Sequence, residues 1–183
     1  MLRTLCEAGL RGVEVREKDL GSDDLLKFAL ACRSIFERTG TKWLINTSVE
    51  AARGALASGV HLAGTGSISR TRELLGAGAL IGKSVHSAGE AREAAEEGAD
   101  FLTYGPVFET PLKKGRPPQG LDELAKACAA AGVPVFAVGG VSPARVKECL
   151  SAGAYGVAVI RGLWAARDPQ AALKEYEKEL GRL

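Results

Sequence analysis

The chain has 183 residues, of which 46% are hydrophobic and 25% charged, and a formal net charge of +2. That length gives one substantial core and little room for a second, and that charge suits neither a nucleic-acid nor a membrane surface. No apolar run approaches the ~20 residues of a membrane span, and Arg3 and Glu7 interrupt any signal-peptide core, so the expectation is one cytoplasmic domain over residues 1–183.

Read in order, the chain repeats one unit. An Ala-rich helical stretch stops at a glycine, and four to eight apolar residues follow. The glycines are Gly9, Gly40, Gly59, Gly78, Gly98, Gly132 and Gly153. The strands they introduce are expected at 12–17, 42–46, 59–63, 79–84, 101–107, 134–139 and 156–161. Helices are expected at 22–38, 48–57, 88–97, 120–131, 142–151 and 168–181, several opened by Ser or Asp in the capping position. A glycine beyond a helix takes the left-handed conformation that ends it. Strands this apolar are expected to be parallel and covered on both faces. Cys6, Cys32, Cys128 and Cys149 fall far apart in the helical stretches, without metal-ligand or redox spacing, and read as small buried hydrophobes.

Strict strand–helix alternation means an α/β fold. Polar residues or glycines close nearly every strand: Arg16 to Lys18, Asn46, His61, Ser84, Glu109 to Lys113, Gly139 and Arg161. Spread over many strand ends, they favour a closed (β/α)8 TIM barrel, whose site is built from all its loops, over a doubly wound sheet with one switch point. Seven strands are counted, and the chain opens inside what reads as the helix before a barrel's second strand. The first strand is therefore expected to be missing, leaving a slot that upstream residues or a partner would cover. A homo-oligomer stays open.

Three loops carry the chemistry. Gly105 to Lys114, Gly139-Gly140 and Arg161-Gly162 each follow an apolar run, and glycines admit the close approach of backbone N–H groups to an anion. The phosphate set is therefore Gly139, Gly140, Arg161 and Gly162, in the place where barrels hold phosphate. Arg16 and Lys18 offer cations at a strand end, Arg16 with a bidentate fork. Asn46, Ser84, Thr110 and Lys113 complete the substrate-binding set, Lys113 within a basic lid that runs to Pro118. His61 and His86 are the chain's two histidines. His61, in mid-strand, reads as an interior histidine, whereas His86 is a proton-transfer candidate, with Glu109 as the second.

Several motifs together resemble one family. They are Val15-Arg16-Glu17-Lys18-Asp19, Leu44-Ile45-Asn46, Gly59-Val60-His61-Leu62, Ser84-Val85-His86, Gly105-Pro106-Val107-Phe108, Lys113-Lys114, Ala137-Val138-Gly139-Gly140 and Gly156-Val157-Ala158-Val159. In these the chain resembles the thiamine phosphate synthase and TenI superfamily of (β/α)8 barrels. The resemblance implies a phosphorylated thiazole-type ligand, with no nucleic acid and no membrane partner. The synthases join an aminopyrimidine pyrophosphate to a thiazole phosphate, using Mg²⁺ held by two aspartates. The matching positions here are Thr47 and Gly66, and neither replaces the charge a hard cation requires.

Val107-Phe108-Glu109-Thr110 with Lys113-Lys114-Gly115 is similar instead to the TenI branch. That branch lacks the metal aspartates and includes thiazole tautomerases. The expectation is thus a TenI-like isomerase with no metal and no cofactor. The histidine that carries the proton in that branch corresponds to Pro106, so His86 or Glu109 would substitute. The alternatives kept are a thiamine phosphate synthase and a non-catalytic binding or regulatory protein.

Overall fold

A computed structural model describes residues 1–17, 19–111, 115 and 117–181. Its contacts divide the chain into two compact units, Met1–Lys83 and Ser84–Leu183, the division falling inside the fourth strand.

The first unit runs α1 (Leu2–Glu7), β1 (Gly12–Val15), α2 (Ser22–Thr39), β2 (Lys42–Asn46), α3 (Val49–Ala55), β3 (Gly59–Leu62), α4 (Ile68–Leu75) and β4 (Leu80–Val85). Each strand pairs in parallel with the next, Val15 opposite Ile45, Asn46 opposite His61 and His61 opposite Gly82. Side chains alternate across a strand, so Val15, Trp43, Ile45, Val60 and Ile81 go into the core, where Phe36 stacks on Trp43 at 4.8 Å. Ser48 and Ser67 cap α3 and α4 by accepting from the N–H groups of Ala51 and Arg70. Gly59 has no room for a side chain, since a Cβ there would lie 1.8 Å from the Leu80 carbonyl oxygen.

The second unit holds the end of β4, then α5 (Ala88–Glu96), β5 (Phe101–Tyr104), α6 (Gly120–Ala131), β6 (Val135–Val138), α7 (Val146–Ser151), β7 (Gly156–Ala158), α8 (Arg161–Trp164) and α9 (Pro169–Glu179). β5, β6 and β7 are parallel, with Thr103 opposite Phe136 and Val138 opposite Ala158. Leu102, Tyr104, Leu124, Val135, Ala137, Val146 and Tyr176 fill the core.

Seven parallel strands alternating with helices agree with the architecture expected from the repeat. Two of the differences bear on the site. β1 is not covered on both faces, for only Val15 of its four residues is buried, whereas all four of β3 are. β7 ends at Ala158 rather than 161, and Arg161 opens α8.

Candidate active site

The first unit's strand ends form a side-chain cluster. Glu14, Asn46 and His61 share one face of β1, β2 and β3, because Glu14 sits opposite Leu44 and Asn46 opposite His61. The Asn46 amide donates to Glu14 Oε1 at 2.6 Å, and His61 Nδ1 lies 3.0 Å from Glu14 Oε2. The Glu14 side chain keeps 32% of its exposure and His61 only 6%, so the carboxylate is the cluster's open member. Sequence reasoning passed over Glu14. The period of two, counted back from Arg16 through Val15, places Glu14 on the same face as Arg16. Arg16 is exposed beyond the end of β1, and Lys18 lies outside the described residues.

The two positions that the resemblance makes metal aspartates do not fit a divalent cation. Thr47 has φ 65°, and its hydroxyl donates to Asn46 Oδ1 at 3.2 Å. At the other position Lys83 donates its ammonium to the Gly66 carbonyl at 2.6 Å. A lysine charge stands where a metal would need an anion. Among the described residues no three His, Cys, Asp or Glu side chains gather as a metal site.

In the second unit the site is made of backbone. Gly139 and Gly140 have φ 93° and 67°, values that favour glycine. A Cβ on Gly139 would lie 2.6 Å from Pro106, and one on Gly140 would lie 2.4 Å from the Glu109 carbonyl oxygen. The β5–α6 loop therefore lies against this glycine pair, joined to it where the Val107 and Phe108 N–H groups donate to the carbonyls of Val138 and Gly139 at 2.9 and 3.0 Å. The N–H groups of Gly140, Val141 and Ser142 have no acceptor among the described residues. Three successive donors without an acceptor fit an anion better than they fit a closed loop.

The other expected residues are placed as follows. His86 is exposed, donates its backbone N–H to Glu90 Oε2 at 2.8 Å and holds Nδ1 2.8 Å from the Gly105 carbonyl. That carbonyl can only accept, so Nδ1 is the donor in this contact. Ser84 Oγ and Thr103 Oγ1 are 3.3 Å apart. Glu109 is exposed and Thr110 half-buried, while Lys113 lies outside the described residues, as do Leu112, Lys114 and Arg116. Arg161 is exposed on α8 and makes no side-chain hydrogen bond among the described residues. Among the described residues the cation at the glycine pair is Arg145, whose Nη1 donates to the Gly140 carbonyl at 3.0 Å while its guanidinium covers the Phe108 ring at 4.4 Å. Gly162 is explained by packing, since a Cβ there would lie 2.2 Å from the Tyr176 hydroxyl.

The family described as thiamine monophosphate synthase matches residues 1–163. The chain belongs to that family. A Geobacter sulfurreducens protein provisionally named thiamine-phosphate synthase is 46% identical over 164 residues, covering 88% of this chain and 77% of its own length. The thiamine-phosphate synthase of Gloeobacter violaceus is 37% identical over 175 residues, and the chain spans 51% of it. Among solved structures, the thiamine phosphate pyrophosphorylase of Pyrococcus furiosus superposes with a TM-score of 0.89 at 29% identity, over 98% of this chain and 87% of that one. The fold is therefore the family's α/β barrel type with seven parallel strands.

These relatives overturn the isomerase expectation, because they are named as synthases, which are transferases. Pro106 occupies the position of the TenI branch's proton-carrying histidine. Pro106 has no titratable group, and its ring packs against Gly139. Its side chain shapes the loop instead.

Proposed function

We propose that this chain performs the synthase reaction, joining an aminopyrimidine pyrophosphate to a thiazole phosphate with release of pyrophosphate. The observation that carries the proposal is the row of three backbone N–H groups at 140–142 beside a glycine pair and a guanidinium, a seat for a phosphate monoester. Similarity to named synthases over 88% of the chain supports the same reading. In this reading Gly139 and Gly140 admit the thiazole phosphate, and Arg16, Lys18 and Asn46 take the aminopyrimidine substrate. Glu14, itself paired with His61, fixes the Asn46 amide. Lys83 keeps the loop at Gly66 in place. The proton shift for which His86 and Glu109 were singled out belongs to the isomerase reaction and goes with it. Ser84, Thr110 and Lys113 remain substrate-contact assignments, and Arg161 a secondary one.

The test is incubation of purified protein with both substrates, reading pyrophosphate release and the coupled product with and without added Mg²⁺. Release and product formation are expected. A protein that binds thiazole phosphate yet forms no product supports the second reading, a non-catalytic binding protein, which the residues at Thr47 and Gly66 favour.

A further inference from the structure

In a trans peptide the C=O of one residue and the N–H of the next point in opposite directions. Anything that ties a carbonyl therefore also aims the following N–H. Over residues 138–141 all the carbonyls are tied: Val138 by the Val107 N–H at 2.9 Å, Gly139 by the Phe108 N–H at 3.0 Å, Gly140 by Arg145 Nη1 at 3.0 Å and Val141 by the Tyr176 hydroxyl at 3.0 Å. The first two ties are backbone to backbone and would survive most substitutions. The last two depend on side-chain identity, and they govern the N–H groups of Val141 and Ser142, which have no acceptor among the described residues.

We propose that Tyr176 and Arg145 are positioning residues that hold the carbonyls of Val141 and Gly140 back, so that the next two N–H groups face a bound phosphate. The proposal rests on the phosphate seat of the proposed function and adds what aims it. Tyr176 is built for the task. Its side chain is 4% exposed, it comes from α9, and Gly162 supplies the clearance its hydroxyl needs. Arg145 reaches the loop from the short helical turn before α7, and the face of Phe108 fixes the guanidinium plane. One of its five N–H donors is spent on Gly140, so the others can meet the anion directly. Carbonyls released from these ties would let both peptides rotate, and the N–H groups would turn to water.

The experiment compares wild type, Tyr176→Phe, Arg145→Ala and Arg145→Lys. Inorganic phosphate is the first probe, with amide NMR shifts reading which N–H groups it meets, and thiazole phosphate is the second, in steady-state kinetics. The wild-type amides of Val141 and Ser142 should shift on phosphate addition. The phosphate dissociation constant should rise about ten-fold in Tyr176→Phe and in Arg145→Ala, the equivalent of about 1.4 kcal/mol, and Arg145→Lys should recover part of the loss. In turnover, KM for thiazole phosphate should rise while kcat and KM for the aminopyrimidine substrate hold. Merely structural residues would reduce the active fraction, hence kcat, and leave KM alone. Folded Tyr176→Phe and Arg145→Ala proteins with wild-type phosphate affinity would overturn the proposal, as would a wild type whose 141 and 142 amides ignore phosphate. Phosphate binding that responds as expected in a protein without synthase turnover would uphold the braces and sink the synthase reading alone.

Discussion

The two units build their functional ends from different materials. In the first, Glu14, Asn46 and His61 form a side-chain network on adjacent strands. In the second, the corresponding work falls to main-chain N–H groups at 140–142, shaped by two glycines with positive φ. A side-chain network changes its chemistry with each substitution. A backbone seat keeps its chemistry and loses only its shape. Substitutions should therefore alter specificity in the first unit and bare affinity in the second.

The sharpest break is Gly140→Ala. A non-glycine residue in the left-handed region costs about 1–2 kcal/mol, and the new methyl would also meet the Glu109 carbonyl at 2.4 Å. Phosphate binding should be lost in calorimetry, with a lower melting temperature. Next comes Glu14→Ala, which strips the Asn46 amide and His61 of their shared partner. A net hydrogen bond contributes about 0.5–1.5 kcal/mol, so the melting temperature should fall, while phosphate affinity at 140–142 stays unchanged. Loss of phosphate binding in that variant would break the distinction between the units.

A smaller effect is expected from Arg16→Ala, exposed at the end of β1. It should raise KM for the pyrophosphate substrate and leave thermal stability unaltered. The smallest effect comes from the thiols. Burial first, then the neighbouring Glu148, lifts Cys149 from 9.0 to about 11. A raised folded-state value stabilises the native protein fully below the unfolded thiol's pKa, and this contribution fades as the pH rises from 9 through about 11. Stability should decline over that window, and Cys149→Ala should remove this part of the decline. Burial also lifts Cys32 and Cys128, so native thiols should react slowly with a disulfide reagent at neutral pH.

Much of the architecture was legible because glycine stops and apolar runs obey local rules. β2 was read at its observed bounds, and β3 to within a residue. Strand ends failed where apolar residues continue past the pairing. Val107 is 1% exposed yet lies beyond β5, which ends at Tyr104, because it is buried in the loop against the glycine pair. The helix expected over 142–151 begins instead with a 3-10 turn at Pro143–Arg145. That turn brings Arg145 to Gly140, something no helical periodicity reveals. Gly139 and Gly140 stood out by type alone, whereas Glu14 resembled an ordinary polar residue between two valines. Tyr176 was invisible as a site residue, for in an amphipathic helix it reads as core. The isomerase expectation rested on two absent aspartates and one loop at 107–115, whereas the relatives named as synthases are similar over most of the chain.

The tie between Tyr176 and Val141 also bears on where this protein can be cut. The family match ends at residue 163, and α9 begins at Pro169. A chain trimmed to the matched stretch would keep every strand and the glycine pair but lose the hydroxyl that holds the Val141 carbonyl. The boundary that similarity draws and the boundary that the phosphate seat requires differ by one helix.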